Sequence, residues 1–565
     1  MQRYSAAILF HRFRLSTLRS SSILNISISR VWWAWIIILA VTFLIQVSTI
    51  DVMPSLQKDE IQIADYGRLT LDPSSDWSVN WLVAEGKPIL LWSYLGPLLS
   101  ETSYQLFGSS GLGPRIVALL GGLLAATMAL GWLLARRVPL YAAFCLAFAF
   151  LLDPLFVLSQ RMARVDSWVI ALCLAACWIL RASNLKKPRY LWARIMSAGA
   201  LSAVAALIWP SSIFLYPLIL LEFALLFKSD ITNVPRWKNI ALNGSCFIGG
   251  GVLAVAILII PVWQNLYLIY HDMPGVLSKN VESSRSLTTR LLAIFDYHLW
   301  LKLIKAFGKT LSILLPLLAL FGSIYRREKG LIIVSFFVVI LIFATLVYEL
   351  RVLYLLPYLV ALGGNLFEHV ADTPSSAILS RIRMAALGTL TTWALVTSLF
   401  VRSALGLEGK AKRDRNKIVG AAKDAIGNGN FKVFLGFTYE FYYAGRSLGW
   451  KLYTPYGQQD YDAQGNWIDK GYNPHDKFVK LFSEMDYAIF SNGAITKELS
   501  EELAVSGLAY ETTMMVSNQS GDGDETGQSR TKQLILFYMQ GNESYGPYVL
   551  YKRQKNRAVL SATHL

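Results

Sequence analysis

The chain has 565 residues, 54% of them hydrophobic and 16% charged, with a mean hydropathy of +0.42. That is too apolar for a soluble enzyme, and the apolar residues fall in runs long enough to cross a hydrocarbon core of ~30 Å at ~1.5 Å per residue. The net charge of +16 does not point to nucleic acid, because the basic residues sit mostly in short connections between apolar runs.

Residues 1–32 read as a basic cytoplasmic tail with Arg3, Arg12, Arg14, Arg19 and Arg30. A cleaved signal peptide is not expected, since the first apolar run follows about thirty polar residues and lacks a small-residue cleavage site. Residues 33–402 read as a polytopic α-helical membrane domain. Its apolar runs lie near 33–50, 113–134, 139–158, 165–182, 193–209, 211–227, 240–263, 307–324, 331–348, 351–367 and 384–402. They give about eleven spans, with an upper count of about thirteen. Trp209-Pro210 is a kink or a turn. Every second connection is basic, from Arg136-Arg137 to Arg381 and Arg383, in phase with the N-terminus. The positive-inside rule then puts the N-terminus in the cytoplasm and, for an odd number of spans, the C-terminal region outside. This is a multi-pass protein of the cytoplasmic (inner) membrane.

The first external loop, residues 51–112, carries Asp59-Glu60 shortly after the first run. An extended segment leads from there to Gly86-Lys87-Pro88, with Glu85 just before. The stretch Pro88–Phe107, apolar but broken by Gly96-Pro97, reads as helices lying on the membrane surface. A carboxylate such as Asp59 at this depth is a candidate general base towards an acceptor hydroxyl; alone, it would read as a solvated loop acid. Lys87 is placed to hold a lipid phosphate as a point charge, or to snorkel to headgroups. Asp166 opens the run at 165–182 behind Arg161 and Arg164, where an ion pair within the crowded turn is the plain alternative.

The four cysteines all lie in predicted spans and read as small apolar residues. A second large external loop covers 264–306. Arg351 and Tyr354 open the run that contains Pro357. An arginine there, with two donors to offer, suits a phosphate oxygen, or it pairs with Glu349.

Past a charged linker at 403–417 the composition changes, and residues 418–555 read as a small α/β domain. Its expected strands are Phe431–Gly436, Tyr487–Asn492, Thr512–Val516, Gln533–Gln540 and Tyr548–Arg553, with helices at Ile418–Ala425, Lys477–Glu484 and Thr496–Ala504. The polar run Ser517–Lys532 reads as a loop between strands rather than a calcium loop. Aromatics such as Tyr439, Phe441, Tyr442, Tyr443, Trp450 and Trp467 either form a core with an interface to the membrane part or stack on sugar rings.

Taken in order, Asp59-Glu60, Gly86-Lys87-Pro88, Phe107-Gly108, Pro114-Arg115, Arg164-Val165-Asp166 and Arg351…Tyr354…Pro357 resemble the GT-C membrane glycosyltransferases. More narrowly, they resemble the protein O-mannosyltransferase and lipid A aminoarabinose transferase branch, over roughly residues 30–400. The resemblance implies transfer of a sugar from a polyprenyl-phosphate carrier to a lipid, polysaccharide or protein acceptor outside the cytoplasm, among membrane lipids. It implies Asp59 as the catalytic carboxylate with Glu60 beside it and Asp166 as the second external-loop acid. Lys87 and Arg351 would bind the carrier phosphate, with Tyr354, Arg164 and Glu85 as further substrate-binding candidates. Here Gly86 separates Glu85 from the Lys-Pro pair, a departure from the aminoarabinose enzymes. No cofactor is certain; a divalent cation between Asp59 and Asp166 stays open. The rival readings are a transporter or flippase of lipid-linked saccharides and a membrane-anchored glycan-binding protein.

Overall fold

The computed structural model describes residues 28–72, 77, 93–108, 111–185, 190–226, 236–265, 292–326, 328–345, 347–368, 377–410, 412–454, 481–516 and 545–554. It divides into two units, residues 1–45 and 46–565.

Helix α1 (Ile28–Val47) covers the first apolar run. Helices α2 (Lys58–Leu71) and α3 (Leu95–Phe107) belong to the first loop. Then come α4 (Leu112–Ala135), α5 (Leu140–Leu151), α6 (Pro154–Arg161), α7 (Asp166–Leu185), α8 (Leu191–Ile208), α9 (Tyr216–Leu225) and α10 (Arg236–Ile259). Further on are α11 (Tyr297–Lys309), α12 (Leu314–Tyr325), α13 (Lys329–Phe343), the single turn α14 (Glu349–Val352), α15 (Leu356–Gly364), α16 (Ala377–Ala394), which continues as a π-helical stretch to Val401, and α17 (Arg402–Gly409).

Among the described residues, 6 helices are long and apolar enough to cross a membrane, or up to 7 if α5 and α6 form one span bent by 49°. Asp153 makes that bend: it caps α6 through Leu155 N–H, and Pro154 supplies a pre-set first helical residue. Helices α9, α12 and α13 are apolar but shorter. The protein is a multi-pass membrane protein; the expected apolar runs overlap helices, but the expected count of about eleven spans is not established by these 6 or 7. Trp209 is extended and Pro210–Phe214 is a 3₁₀ turn, so that site is a break between α8 and α9.

Two expectations about connections are corrected. The start of the segment expected to be extended is a 14-residue helix, Lys58–Leu71, with Asp59 and Glu60 in its first turn where they complement the helix dipole. The segment 403–417 is largely helical: α17 ends at Gly409, and Asp414 caps α18 (Arg415–Ala425) through Asn416 N–H.

The C-terminal domain continues with β1 (Lys432–Gly436), α19 (Phe441–Ser447), β2 (Lys451–Tyr453), β3 (Tyr487–Ser491), α20 (Lys497–Val505), β4 (Leu508–Met514) and β5 (Tyr548–Arg553). The sheet order is β2-β1-β3-β5-β4, with β1 parallel to both β2 and β3, and β5 antiparallel to β3 and β4. Sequence reasoning missed β2, which has only three residues, and started β4 four residues late. The expected strand Gln533–Gln540 lies outside the described residues, as do residues 477–480 of the expected helix Lys477–Glu484.

This domain is not a free appendage. One buried cluster joins Leu56, Ile61, Ala64 and Tyr104 of the first loop to Ile418, Val433, Tyr443 and Trp450 of the domain. Arg446 on α19 grips Glu101 on α3 with two hydrogen bonds of 2.8 Å, and its guanidinium lies 4.2 Å from the centre of the Tyr104 ring. Tyr104 in turn stacks on Tyr443 at 5.4 Å. Burial works against the charge on Arg446, but Tyr442, Glu101 and Tyr104 outweigh it, and its pKa is raised. The aromatic residues Phe441, Tyr442, Tyr443 and Trp450 are therefore core and interface.

Candidate active site at the first loop

The path from α1 into α2 has no regular structure over residues 50–57, so its carbonyls need partners from elsewhere. Three arginines supply them. Arg115, in the first turn of α4, donates to the carbonyls of Ile50 (2.7 Å), Pro54 (2.8 Å) and Ser55 (3.2 Å). Arg161, at the end of α6, donates to Gln46 (3.0 Å), Thr49 (2.6 Å) and Met53 (2.8 Å). Arg413, beyond α17, donates to Val52 (2.9 Å). Forked donors suit this task, because one planar group reaches several oxygens.

Asp59 and Glu60 share a dipeptide and little else. Glu60 is fully buried, with both carboxylate oxygens on Arg115 at 2.7–3.1 Å. Asp59 is 36% exposed and accepts from Arg164. Arg164, itself 5% exposed, donates its Nε to Asp166 at 2.6 Å, so one guanidinium bridges two carboxylates from different segments. The other Asp166 oxygen accepts from the Tyr354 hydroxyl at 2.6 Å. Burial opposes the charge on Arg164, yet Asp166 and Asp59 more than offset it and its pKa is raised. The turn that delivers Arg164 runs through Ala163 at φ 52°, a left-handed conformation uncommon for alanine. Beside Asp59, burial lowers the Lys58 ammonium while Asp59 pulls it back up.

Four of the expected residues thus come together: Asp59, Arg164, Asp166 and Tyr354. Arg351 sits on α14 with its guanidinium 5.5 Å from the centre of the Tyr348 ring. Glu349, the expected alternative partner for Arg351, pairs with Lys309 at 3.6 Å. Lys87 and Glu85 lie outside the described residues. Asp153, which precedes that turn, takes no part in these ion pairs: it caps α6 and accepts from the Ser312 hydroxyl. Glu101 and Arg446 are structural residues that the sequence reading did not single out, and Arg115 entered it only within the Pro114-Arg115 motif, with no role assigned. Arg115 carried a signal, being a charged group at the head of an apolar run.

Among the described residues no group of three or more His, Cys, Asp or Glu side chains could hold a metal ion. Both carboxylates of the cluster are committed to Arg164, so a divalent cation would have to displace a guanidinium to bind between them. The donor set does not fit one.

In fold, the chain is similar to solved membrane glycosyltransferases of the GT-C class. The crystal structure of ArnT from Cupriavidus metallidurans bound to undecaprenyl phosphate superimposes with a TM-score of 0.55 at 14% sequence identity, covering 94% of this chain and 99% of that one. ArnT is a lipid A aminoarabinose transferase. The apo state of the same protein gives a TM-score of 0.47 at 14% identity over 82% of this chain and 94% of that one. The cryo-EM structure of the arabinofuranosyltransferase AftD from Mycobacteria gives 0.48 at 12% identity, covering 94% of this chain and 42% of AftD. No family model matches the chain, and no curated protein does.

Proposed function

We propose that this chain is an integral-membrane glycosyltransferase that moves a sugar from a polyprenyl-phosphate or -diphosphate carrier to an acceptor hydroxyl on the extracytoplasmic side. The observation that carries the reading is the bridge Asp59–Arg164–Asp166: a half-open carboxylate held by a buried cation, in a fold shared with a protein solved with undecaprenyl phosphate bound.

Asp59 takes the proton from the acceptor hydroxyl, and the hydroxyl oxygen attacks the anomeric carbon as the bond to the carrier phosphate breaks on the opposite face. The configuration inverts. Arg164 sets the direction of the Asp59 carboxylate, and Asp166 with Tyr354 sets Arg164. A base held within hydrogen-bond reach of its proton contributes about 10²–10⁴-fold. Lys87 and Arg351 receive the charge that develops on the departing phosphate, where fixed cations are most effective. Glu60 is assigned to holding the loop through Arg115, and not to the chemistry. The clean ion pairs at helix ends fit a transferase better than a transporter, whose ionisable residues are expected near mid-membrane.

The test is a titration of the purified protein in detergent with a polyprenyl phosphate. Wild type binds, Lys87→Ala weakens binding, and Asp59→Asn binds but does not transfer. If a correctly folded wild type fails to bind any polyprenyl phosphate, the reading loses its donor and is wrong.

A further inference from the structure

Among the described helices, α11 is distinctive in how its surface is divided. His298, Lys302, Lys305 and Lys309 recur at spacings of four, three and four, all exposed. At 3.6 residues per turn they fall within a sector of about 60°. Leu299, Leu303 and Ala306 form a second face, buried against the bundle. Tyr297, Leu301 and Ile304 form a third, apolar and exposed, which Leu292 and the 82% exposed Phe295 extend.

An apolar exposed face is unfavourable in water and a row of cations is unfavourable in hydrocarbon. A helix that carries both side by side is satisfied only at the boundary, with one face among acyl chains and the other among headgroups. Helix α11 also has a defined place in the bundle. Lys309 pairs with Glu349 on α14, and Tyr348 and Leu350 beside it pack on Leu158 and Met162 of α6, the helix that leads to Arg164. Helix α11 thus borders the end of the bundle that carries Asp59.

We propose that α11 lies in the plane of the membrane surface at that end, and that its basic stripe binds the anionic headgroups of the surrounding bilayer. The phosphate of a lipid-linked donor arriving along that surface is the same chemistry, so the stripe also concentrates the donor beside Arg351. The attraction comes from the bilayer as a charged surface and not from a closed anion pocket.

The experiment uses the full chain in nanodiscs of phosphatidylcholine alone and of phosphatidylcholine with phosphatidylglycerol, and follows amide hydrogen exchange in peptides covering residues 292–309. Exchange is expected to slow in the anionic discs. Lys302→Gln and Lys305→Gln should each shrink that difference by about five-fold, the scale of one cation at an anionic surface, while Lys302→Arg and Lys305→Arg keep it. Equal exchange of wild type in both discs overturns the proposal. So does equal protection from inorganic phosphate added to the neutral discs, since that would identify a discrete anion site. The readout does not involve sugar transfer, so it stands or falls separately from the transferase reading.

Discussion

Replacing Arg164 with lysine keeps the positive charge but not the geometry. The three donors of an ammonium radiate from one nitrogen, whereas the guanidinium reaches Asp59 and Asp166 from two nitrogens in a fixed plane. Arg164→Lys is therefore expected to lower kcat by about 10²-fold, the scale of a misplaced catalytic group, while binding of polyprenyl phosphate changes little. Unaltered kcat would show that Asp59 needs no such anchor. Tyr354→Phe removes the hydrogen bond to Asp166 and leaves a buried carboxylate oxygen short of a donor. A loss of about 1.5–3 kcal/mol in unfolding free energy is expected, as for bonds to charged groups. Glu60→Gln tests the other half of the dipeptide. It breaks a fully buried pair, so it should destabilise by about 3–5 kcal/mol, and thermal unfolding in detergent will register it even in preparations without substrate. The sequence made Asp59 legible because an acid just past a span is conspicuous. It could not separate Asp59 from Glu60, since neighbours in a helix point about 100° apart and only the partners decide which one is buried.

At the scale of the helix, α2 must lie close against α3 for Asp59 and Glu101 to hold their places. Gly67 makes that approach possible: a Cβ there would sit 2.1 Å from the Pro97 carbonyl oxygen and 2.6 Å from Glu101 Cβ. Intrinsic propensity favours alanine over glycine in a helix by about 1 kcal/mol, but backbone on the other side cannot give way. Gly67→Ala should lower both stability and transfer. Gly420→Ala is the control, because a Cβ there meets nothing within 4 Å, and a gain of about 0.5–1 kcal/mol is expected. Differential scanning of the two variants separates propensity from packing. Apolar helices and most described strands were readable from apolar runs and alternation, which are local signals, whereas the number of helices long enough to cross a membrane was not. The helix at 58–71 was not: its buried face includes Glu60, Asp65 and Arg68, whose partners are Arg115 for Glu60 and each other for the last two. Polar burial of that kind hides amphipathic periodicity.

The molecule as a whole ties its C-terminal domain to the first loop by an apolar cluster and by the Glu101–Arg446 pair, both buried. Composition marked a change of character near residue 403, but helix runs through that point to Gly409, and the reading of residues 403–417 as a linker carried a mechanical implication that the buried contacts do not support. A chain cut at that point would expose Leu56, Ile61 and Tyr104 to water. Truncation after residue 410 is therefore expected to abolish sugar transfer, and Arg446→Met should destabilise the intact protein by about 3–5 kcal/mol by stranding Glu101. Full activity in a truncated protein of intact bundle would show the domain to be dispensable for catalysis.

The arginine contacts along residues 46–55 have a different kind of consequence. Arg115, Arg161 and Arg413 hold that stretch by its carbonyl oxygens, and every amino acid carries one. Apart from the Thr49 hydroxyl, which Arg161 also reaches, these bonds do not read the side chains along the stretch. Replacements there keep the route where they still fit the buried places of Ile50, Val52 and Met53, provided the three guanidinium groups stay. Its information is stored at positions 115, 161 and 413, far along the chain from the stretch that it shapes.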